Sequence, residues 1–126
     1  MRKKIMGGIV VFILGVLMFT SCAKDTVVYP QSSIPPGLKI SFKDTIQPIS
    51  SAGCLGSNCH AGTVAPNLSV GQAYANLQSG HFINTASPSQ STIYLVMAPG
   101  GLMANHCTPA EAELVLAWIK KGALDN

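Results

Sequence analysis

Two cysteines and the histidine that directly follows the second, Cys54, Cys59 and His60, constrain this 126-residue chain more than any other feature. A cysteine pair closed by an adjacent histidine is the attachment signal for c-type haem, because two thioethers hold the porphyrin edge while the imidazole ligates the iron. The motif therefore predicts one covalent haem c on Cys54 and Cys59, with His60 as the proximal iron ligand.

The two cysteines are separated by four residues, Leu-Gly-Ser-Asn, whereas the usual haem motif has only two. Gly56, Ser57 and Asn58 are residue types that form turns. We expect this stretch to loop outward, so that both sulfur atoms face the same porphyrin ring.

Two haem-free interpretations of these residues stay open. In an oxidising compartment, Cys54 and Cys59 would form a disulfide with each other or with Cys107. A zinc ion would recruit the three thiolates and one histidine, although the adjacent Cys59 and His60 should point apart rather than converge on one tetrahedral ion. The histidines that would complete such a zinc site are His60, His81 and His106.

Residues 1–21 have the layout of a lipoprotein signal peptide. Arg2, Lys3 and Lys4 precede an apolar stretch that leads through small residues to Cys22. This order is typical of a secretory signal, and an apolar run of about fifteen residues is short for a transmembrane helix of roughly twenty. The cysteine resembles that of a bacterial lipobox. We expect Cys22 to be lipidated and to anchor the mature chain to a bacterial membrane, in the periplasm or at the cell surface.

Removal of the signal peptide leaves a chain without net charge. Its basic residues are Lys24, Lys39, Lys43, Lys120 and Lys121, and its acidic residues are Asp25, Asp44, Glu111, Glu113 and Asp125. The basic character of the whole sequence therefore belongs to the targeting segment, and no nucleic-acid partner is expected.

The mature chain divides into a tether and one small domain. Residues 22–39 contain prolines, serines and a glycine without apolar periodicity, so they are expected to be a flexible lipid-anchored tether. Residues 40–126 are enough for a single domain with a modest core. A buried haem would add apolar surface that so few side chains cannot supply.

The pattern in the domain predicts helices and no sheet. Ser41 and Asp44 form a capping-box signature ahead of Phe42, Ile46 and Ile49, which recur at helical spacing. Pro48 should kink or end this helix. Further helices are expected over residues 72–78, with an end at Gly80, and over residues 89–96.

The last helix has the strongest signals. Thr108 is a capping residue, Pro109 occupies the first turn and Glu111 completes a capping box. Apolar residues follow at helical spacing, and Lys120, Lys121 and Gly122 mark the end.

Short motifs precede and follow Cys54–His60. DTIQPI at residues 44–49 comes before it. After it come AYANL at 73–77, NTASP at 84–88, IY at 93–94, MAPGGLM at 97–103, LAWI at 116–119 and GA at 122–123. With them, residues 40–123 resemble the small cytochrome c domains of Bacteroidetes lipoproteins. The resemblance implies an all-α cytochrome c-like fold around one covalent haem, with the first and last helices packed near the haem edge. It also implies a methionine as distal iron ligand.

Met103 is the expected distal ligand and Met97 is the alternative. Met103 follows Pro99, Gly100 and Gly101 in a loop free to fold over the iron, whereas Met97 continues the apolar face of a helix. Ile93, Tyr94 and Leu102 are expected to form the distal wall and exclude water. Cys107 lies outside the family pattern and should be a free, slow-reacting thiol.

These features predict a one-electron carrier with His/Met axial ligation that works with redox partner proteins and is not an enzyme. A haem peroxidase-like enzyme is one alternative, which would need an open iron site and a distal acid or base such as His81 or His106. A haem-free binding lipoprotein closed by a disulfide is the other.

Overall fold

The computed structural model describes residues 34, 35 and 37–126, and helices joined by loops make up this part of the chain, without a strand. The described part is therefore all-α, as expected. Within it, no helix combines the length and the apolar character needed to cross a bilayer. The expected signal peptide, Cys22 and most of the expected tether lie outside the described residues. The α-helices are α1 (Gln47–Gly53), α2 (Ala73–Ser79), α3 (Thr92–Met97) and α4 (Pro109–Lys120), with a π-helical segment at Phe42–Ile46 and 3-10 turns at Pro88–Gln90 and Ala104–His106.

The first helical segment begins as the capping signature predicts. The Ser41 hydroxyl accepts a hydrogen bond from the Asp44 N–H at 2.9 Å. Pro48 does not end the helix, which runs on to Gly53, so that part of the expectation is wrong. The turn just before the proline is instead widened into a π-helix. Because proline lacks an N–H and its ring crowds the preceding turn, a wider turn accommodates it without a break.

The helix expected over residues 89–96 is divided into two pieces. Ser91 has an extended backbone and separates the turn Pro88–Gln90 from α3. Its side chain is buried, accepts a hydrogen bond from the Asn84 N–H at 2.8 Å and donates one to the Asn84 carbonyl at 3.3 Å. These bonds tie the helix start to the preceding loop and explain the interruption.

The other two predicted helices are confirmed. Helix α2 ends at Ser79 and is capped by Gly80, whose N–H bonds back to the Asn76 carbonyl. Helix α4 begins with the full capping box, in which the Thr108 hydroxyl accepts from the Glu111 N–H and the Glu111 carboxylate accepts from the Thr108 N–H. Local chemistry therefore decides where both helices begin or end.

Three aromatic rings join the first helical segment to α2 and α4. The ring centroid of Phe42 lies 5.2 Å from that of Tyr74 and 5.4 Å from that of Trp118. Trp118 is almost fully buried, at 1% exposed. Large aromatic side chains bury the most apolar area per residue, so this cluster is a main source of stability in a small core.

Leu124 and Asn126 form hydrogen bonds with α4 and with the first helical segment. Asn126 accepts hydrogen bonds from the Phe42 N–H through its side-chain oxygen and from the Lys43 N–H through its backbone oxygen, both at 3.0 Å. The Trp118 indole N–H donates to the Leu124 carbonyl at 2.9 Å. Since the first N–H groups of a helix have no partner within it, the C-terminal residues satisfy donors that would otherwise be orphaned.

Candidate functional site

An apolar cavity of about 190 Å³ lies between α1, α2 and α3 and the loop after His60. Leu68, Leu77, Phe82, Ile93 and Val96 provide much of its apolar lining. The same lining contains four of the residues with candidate roles, namely Cys54, His60, Met97 and Met103. The fold therefore brings a thiol, an imidazole and two thioethers to one apolar cavity.

A second depression, of about 260 Å³, adjoins the cavity. It shares Cys54, His60 and Met103 with the cavity and adds Cys59 and His106. Met103 therefore borders both spaces, whereas Met97 lines only the inner one. The two cysteines of the motif, its histidine and the favoured methionine thus all line the outer depression.

The chain between the two cysteines folds outward and returns. Gly56, Ser57 and Asn58 are exposed. The Cys59 N–H bonds to the Gly56 carbonyl at 3.0 Å, and Asn58 takes a left-handed conformation with φ of 63°, which asparagine tolerates better than most residues. The His60 N–H then bonds to the Cys54 carbonyl at 3.0 Å, so the loop closes on its own start. The turn expected at Gly56, Ser57 and Asn58 is therefore present and exposed.

The tautomer of His60 follows from its hydrogen bonds. Its Nδ1 lies 3.0 Å from the Pro66 carbonyl oxygen and 3.2 Å from the Val64 carbonyl oxygen. Carbonyl oxygens only accept, so Nδ1 carries the proton and donates it. In the neutral form of the ring the unprotonated nitrogen is then Nε2, the atom that can bind a metal. A backbone carbonyl on the other ring nitrogen is the usual way in which proteins orient a ligating histidine.

Gln47 supports this arrangement from α1. It is 8% exposed, and its side-chain amide donates to the Leu68 carbonyl at 3.0 Å. The Leu68 N–H in turn donates to the His60 carbonyl at 2.7 Å. Sequence reasoning missed Gln47. A polar residue between two apolar helical positions, Ile46 and Ile49, was the only available signal.

The loop that carries Met103 returns close to α3. The Met103 N–H donates to the Val96 carbonyl at 2.7 Å. Gly101 allows this approach, since a Cβ there would overlap the carbonyl oxygens of Leu95 and Val96. Gly53 has a similar role at the end of α1, where a Cβ would overlap the His106 carbonyl oxygen. Met97 is buried in the core and Met103 is half-buried.

Cys107 is half-buried and its thiol contacts the same loop. Its Sγ lies 3.3 Å from the Met97 carbonyl oxygen and 3.6 Å from the Met103 carbonyl oxygen. Burial raises the pKa of the Cys107 thiol, and the nearby Cys54 and Glu111 raise it further. Burial also raises the pKa of Cys54, with added effects of Cys59 and Glu111. Both groups are therefore kept as neutral thiols.

The expected distal wall is only partly correct. Ile93 lines the cavity. Tyr94 instead turns towards α4, where its hydroxyl donates to the Glu113 carboxylate at 3.1 Å. Leu102 is 85% exposed and excludes no water, because the close return of Gly101 and Met103 to α3 leaves it on the outside of the turn. His81 is exposed and does not border the cavity, whereas His106 borders the outer depression.

The described residues give no support to the zinc interpretation. Among them, no group of three or more histidine, cysteine or carboxylate side chains is placed to hold a metal ion. The disulfides suggested by the sequence are not formed either, since Cys54, Cys59 and Cys107 are all free. The cavity and the outer depression are thus lined by two thiols (Cys54 and Cys59), two imidazoles (His60 and His106) and two thioethers (Met97 and Met103).

Comparison of the chain with known protein families, with curated proteins and with solved structures found no match. Its function is therefore inferred from the chemistry of the cavity and its motif.

Proposed function

We propose that this protein is a c-type cytochrome, a one-electron carrier that holds one haem through thioethers at Cys54 and Cys59. His60 and Met103 would be the axial iron ligands. The observation that carries the proposal is the state of His60: its Nδ1–H is committed to backbone carbonyls, and its imidazole borders an apolar cavity shared with Cys54 and Met103. An ordinary surface histidine needs neither feature.

The residues around the cavity suit a porphyrin. The inner lining is dominated by aliphatic and aromatic side chains, which favour an apolar macrocycle over water. Cys59 and Cys54 border the outer depression, where the porphyrin edge would be attached. The domain has a small core, so an enclosed apolar group would add stability as well as function.

A bound haem would supply the ferrous/ferric couple on which one-electron transfer depends. The chain's own residues would hold that couple in place. The carbonyls of Pro66 and Val64 fix the orientation of His60 and make its Nε2 a stronger donor. A thioether such as that of Met103 is a soft ligand that prefers ferrous iron and raises the potential. Two retained axial ligands would leave little to rearrange on each transfer.

The remaining parts of the chain fit a carrier in the cell envelope. Cys22 would anchor the mature protein to a bacterial membrane, and residues 23–39 would hold the domain away from that surface. The neutral mature chain gives no basis for nucleic-acid binding, and the partners of a one-electron carrier would be redox proteins.

The proposal is tested with full-length protein produced in a host that matures c-type cytochromes. Intact mass under denaturing conditions should show one haem added to the chain, and Cys54→Ser with Cys59→Ser should abolish that addition. A mass lower by only two hydrogens, without haem, would assign the site to the disulfide-closed binding lipoprotein.

Replacement of single histidines tests the ligation. His60→Ala should lose the low-spin spectrum, whereas the matched variant His81→Ala should keep it, because His81 is exposed and away from the cavity. Equal spectra for the two variants would contradict the role of His60. Rapid peroxide turnover by the parent protein would favour the peroxidase-like alternative instead.

A further inference from the structure

The distal loop begins and ends at the two methionines. Met97 is the last residue of α3, so its carbonyl is among those without a partner inside the helix. Met103 is the residue before the turn Ala104–His106. Between them the chain reverses, with the Gly101 N–H donating to the Ala98 carbonyl at 2.8 Å. The position of the Met103 side chain thus depends on how firmly the two ends of this loop are held together.

Cys107 lies where it contacts both ends. Its Sγ is 3.3 Å from the Met97 carbonyl oxygen and 3.6 Å from that of Met103. A thiol has a single proton, so these two acceptors share one donor. The side chain also packs against the core, which limits the positions that the sulfur atom can take. The thiol therefore supplies a hydrogen-bond partner for the unpaired Met97 carbonyl at the end of α3 and links it to the Met103 end of the distal loop.

We propose that Cys107 is a positioning residue, whose thiol ties the carbonyls of Met97 and Met103 and so holds the Met103 thioether on the iron. This inference rests on the proposed cytochrome function. It differs from the expectation for a buried free cysteine, which would act only through its volume. Here the S–H donor, and not the apolar sulfur alone, keeps the distal loop closed.

Competition by imidazole measures this effect on the ferric holoprotein. Imidazole displaces the methionine, and the loss of the far-red sulfur-to-iron band reports the displacement. Without the donor, Cys107→Ala should bind imidazole about two- to fivefold more tightly, because a thiol is a weak donor whose loss costs no more than an ordinary hydrogen bond. Cys107→Ser retains a donor and should stay within about twofold of the parent. Leu102→Ala is the matched control, since that side chain belongs to the same loop and is 85% exposed.

Cys107→Val separates volume from hydrogen bonding, because valine fills similar space and has no donor. It should behave like Cys107→Ala, and it replaces that variant if the alanine protein does not accumulate. Parental imidazole affinity in the valine variant would overturn the proposal, as would equal effects of serine and alanine. A parent protein without haem would reject the cytochrome function itself. A parent with haem but no far-red band would reject methionine ligation, and with it the role of Cys107.

Discussion

Met97 and Met103 border the same cavity, and replacing each with alanine should separate packing from ligation. Met97 is 8% exposed and belongs to the core. Met97→Ala should therefore lower the free energy of unfolding by about 2–5 kcal/mol, which lowers the melting temperature of a domain of this size by roughly 8 °C or more. Met103 is only half-buried, so its removal should cost less packing. If it ligates the iron, Met103→Ala should abolish the far-red band and lower the potential.

The two effects need separate measurements, because loss of an iron ligand also destabilises the holoprotein. The far-red band of the ferric protein is recorded first, without added ligand. Unfolding is then followed in saturating imidazole, which gives both variants the same sixth ligand, so that the remaining difference in stability reports packing. Loss of the band in Met97→Ala and its retention in Met103→Ala would refute the assignment. Equal stabilities in imidazole would refute the packing argument.

Other substitutions test neighbouring parts of the structure. Gly101→Ala should lower the free energy of unfolding in urea by about 1–3 kcal/mol and raise the affinity for imidazole, because the new Cβ overlaps carbonyl oxygens of α3. An unchanged unfolding free energy and imidazole affinity would contradict that close approach. Trp118→Ala should cost about 3–5 kcal/mol of unfolding free energy, measured by circular dichroism in urea, and a loss below about 1 kcal/mol would contradict its central place in the core. Burial, with Glu113 nearby, raises the pKa of Tyr94, so the unfolded chain loses the phenol proton first and stability should fall as the pH rises above about 10. Tyr94→Phe should flatten that alkaline decline, and an unchanged slope would reject the contribution.

The helix boundaries that sequence predicted correctly depend on nearby residues. Ser41 with Asp44, and Thr108 with Glu111, form bonds across three positions in the chain, and Gly80 ends α2 in the same local way. Such signals need no knowledge of the rest of the fold. The two helix boundaries that were predicted wrongly have other causes: one depends on a hydrogen bond to a preceding loop, and the other on a change from α-helical to π-helical geometry. Ser91 interrupts a helix because it binds Asn84, and the widened turn before Pro48 keeps a helix that proline alone would end.

The candidate site divides in the same way. The motif Cys54–His60 identified the haem-binding candidates because these residues lie close together in the sequence. The contacts that orient them involve distant parts of the chain: Gln47 reaches the carbonyl of Leu68, and Cys107 reaches that of Met97. The hydrogen-bond acceptors of Cys107 could not be predicted from the sequence, because they depend on how the distal loop folds back over α3. The exposure of Leu102 was missed for the same reason.

The hydrogen bonds that the Phe42 and Lys43 N–H groups donate to Asn126 bring residues 42 and 126 of the helical domain together. A domain whose ends lie close together is well suited to insertion and to circular permutation, because neither change requires the fold to be distorted. A short glycine-serine link from residue 126 to residue 40, with new termini in the exposed loop at residues 85–87, would retain the buried Ile40 and leave every cavity residue on an uncut segment. Such a unit could be placed within another polypeptide, or repeated along one, as a self-contained module.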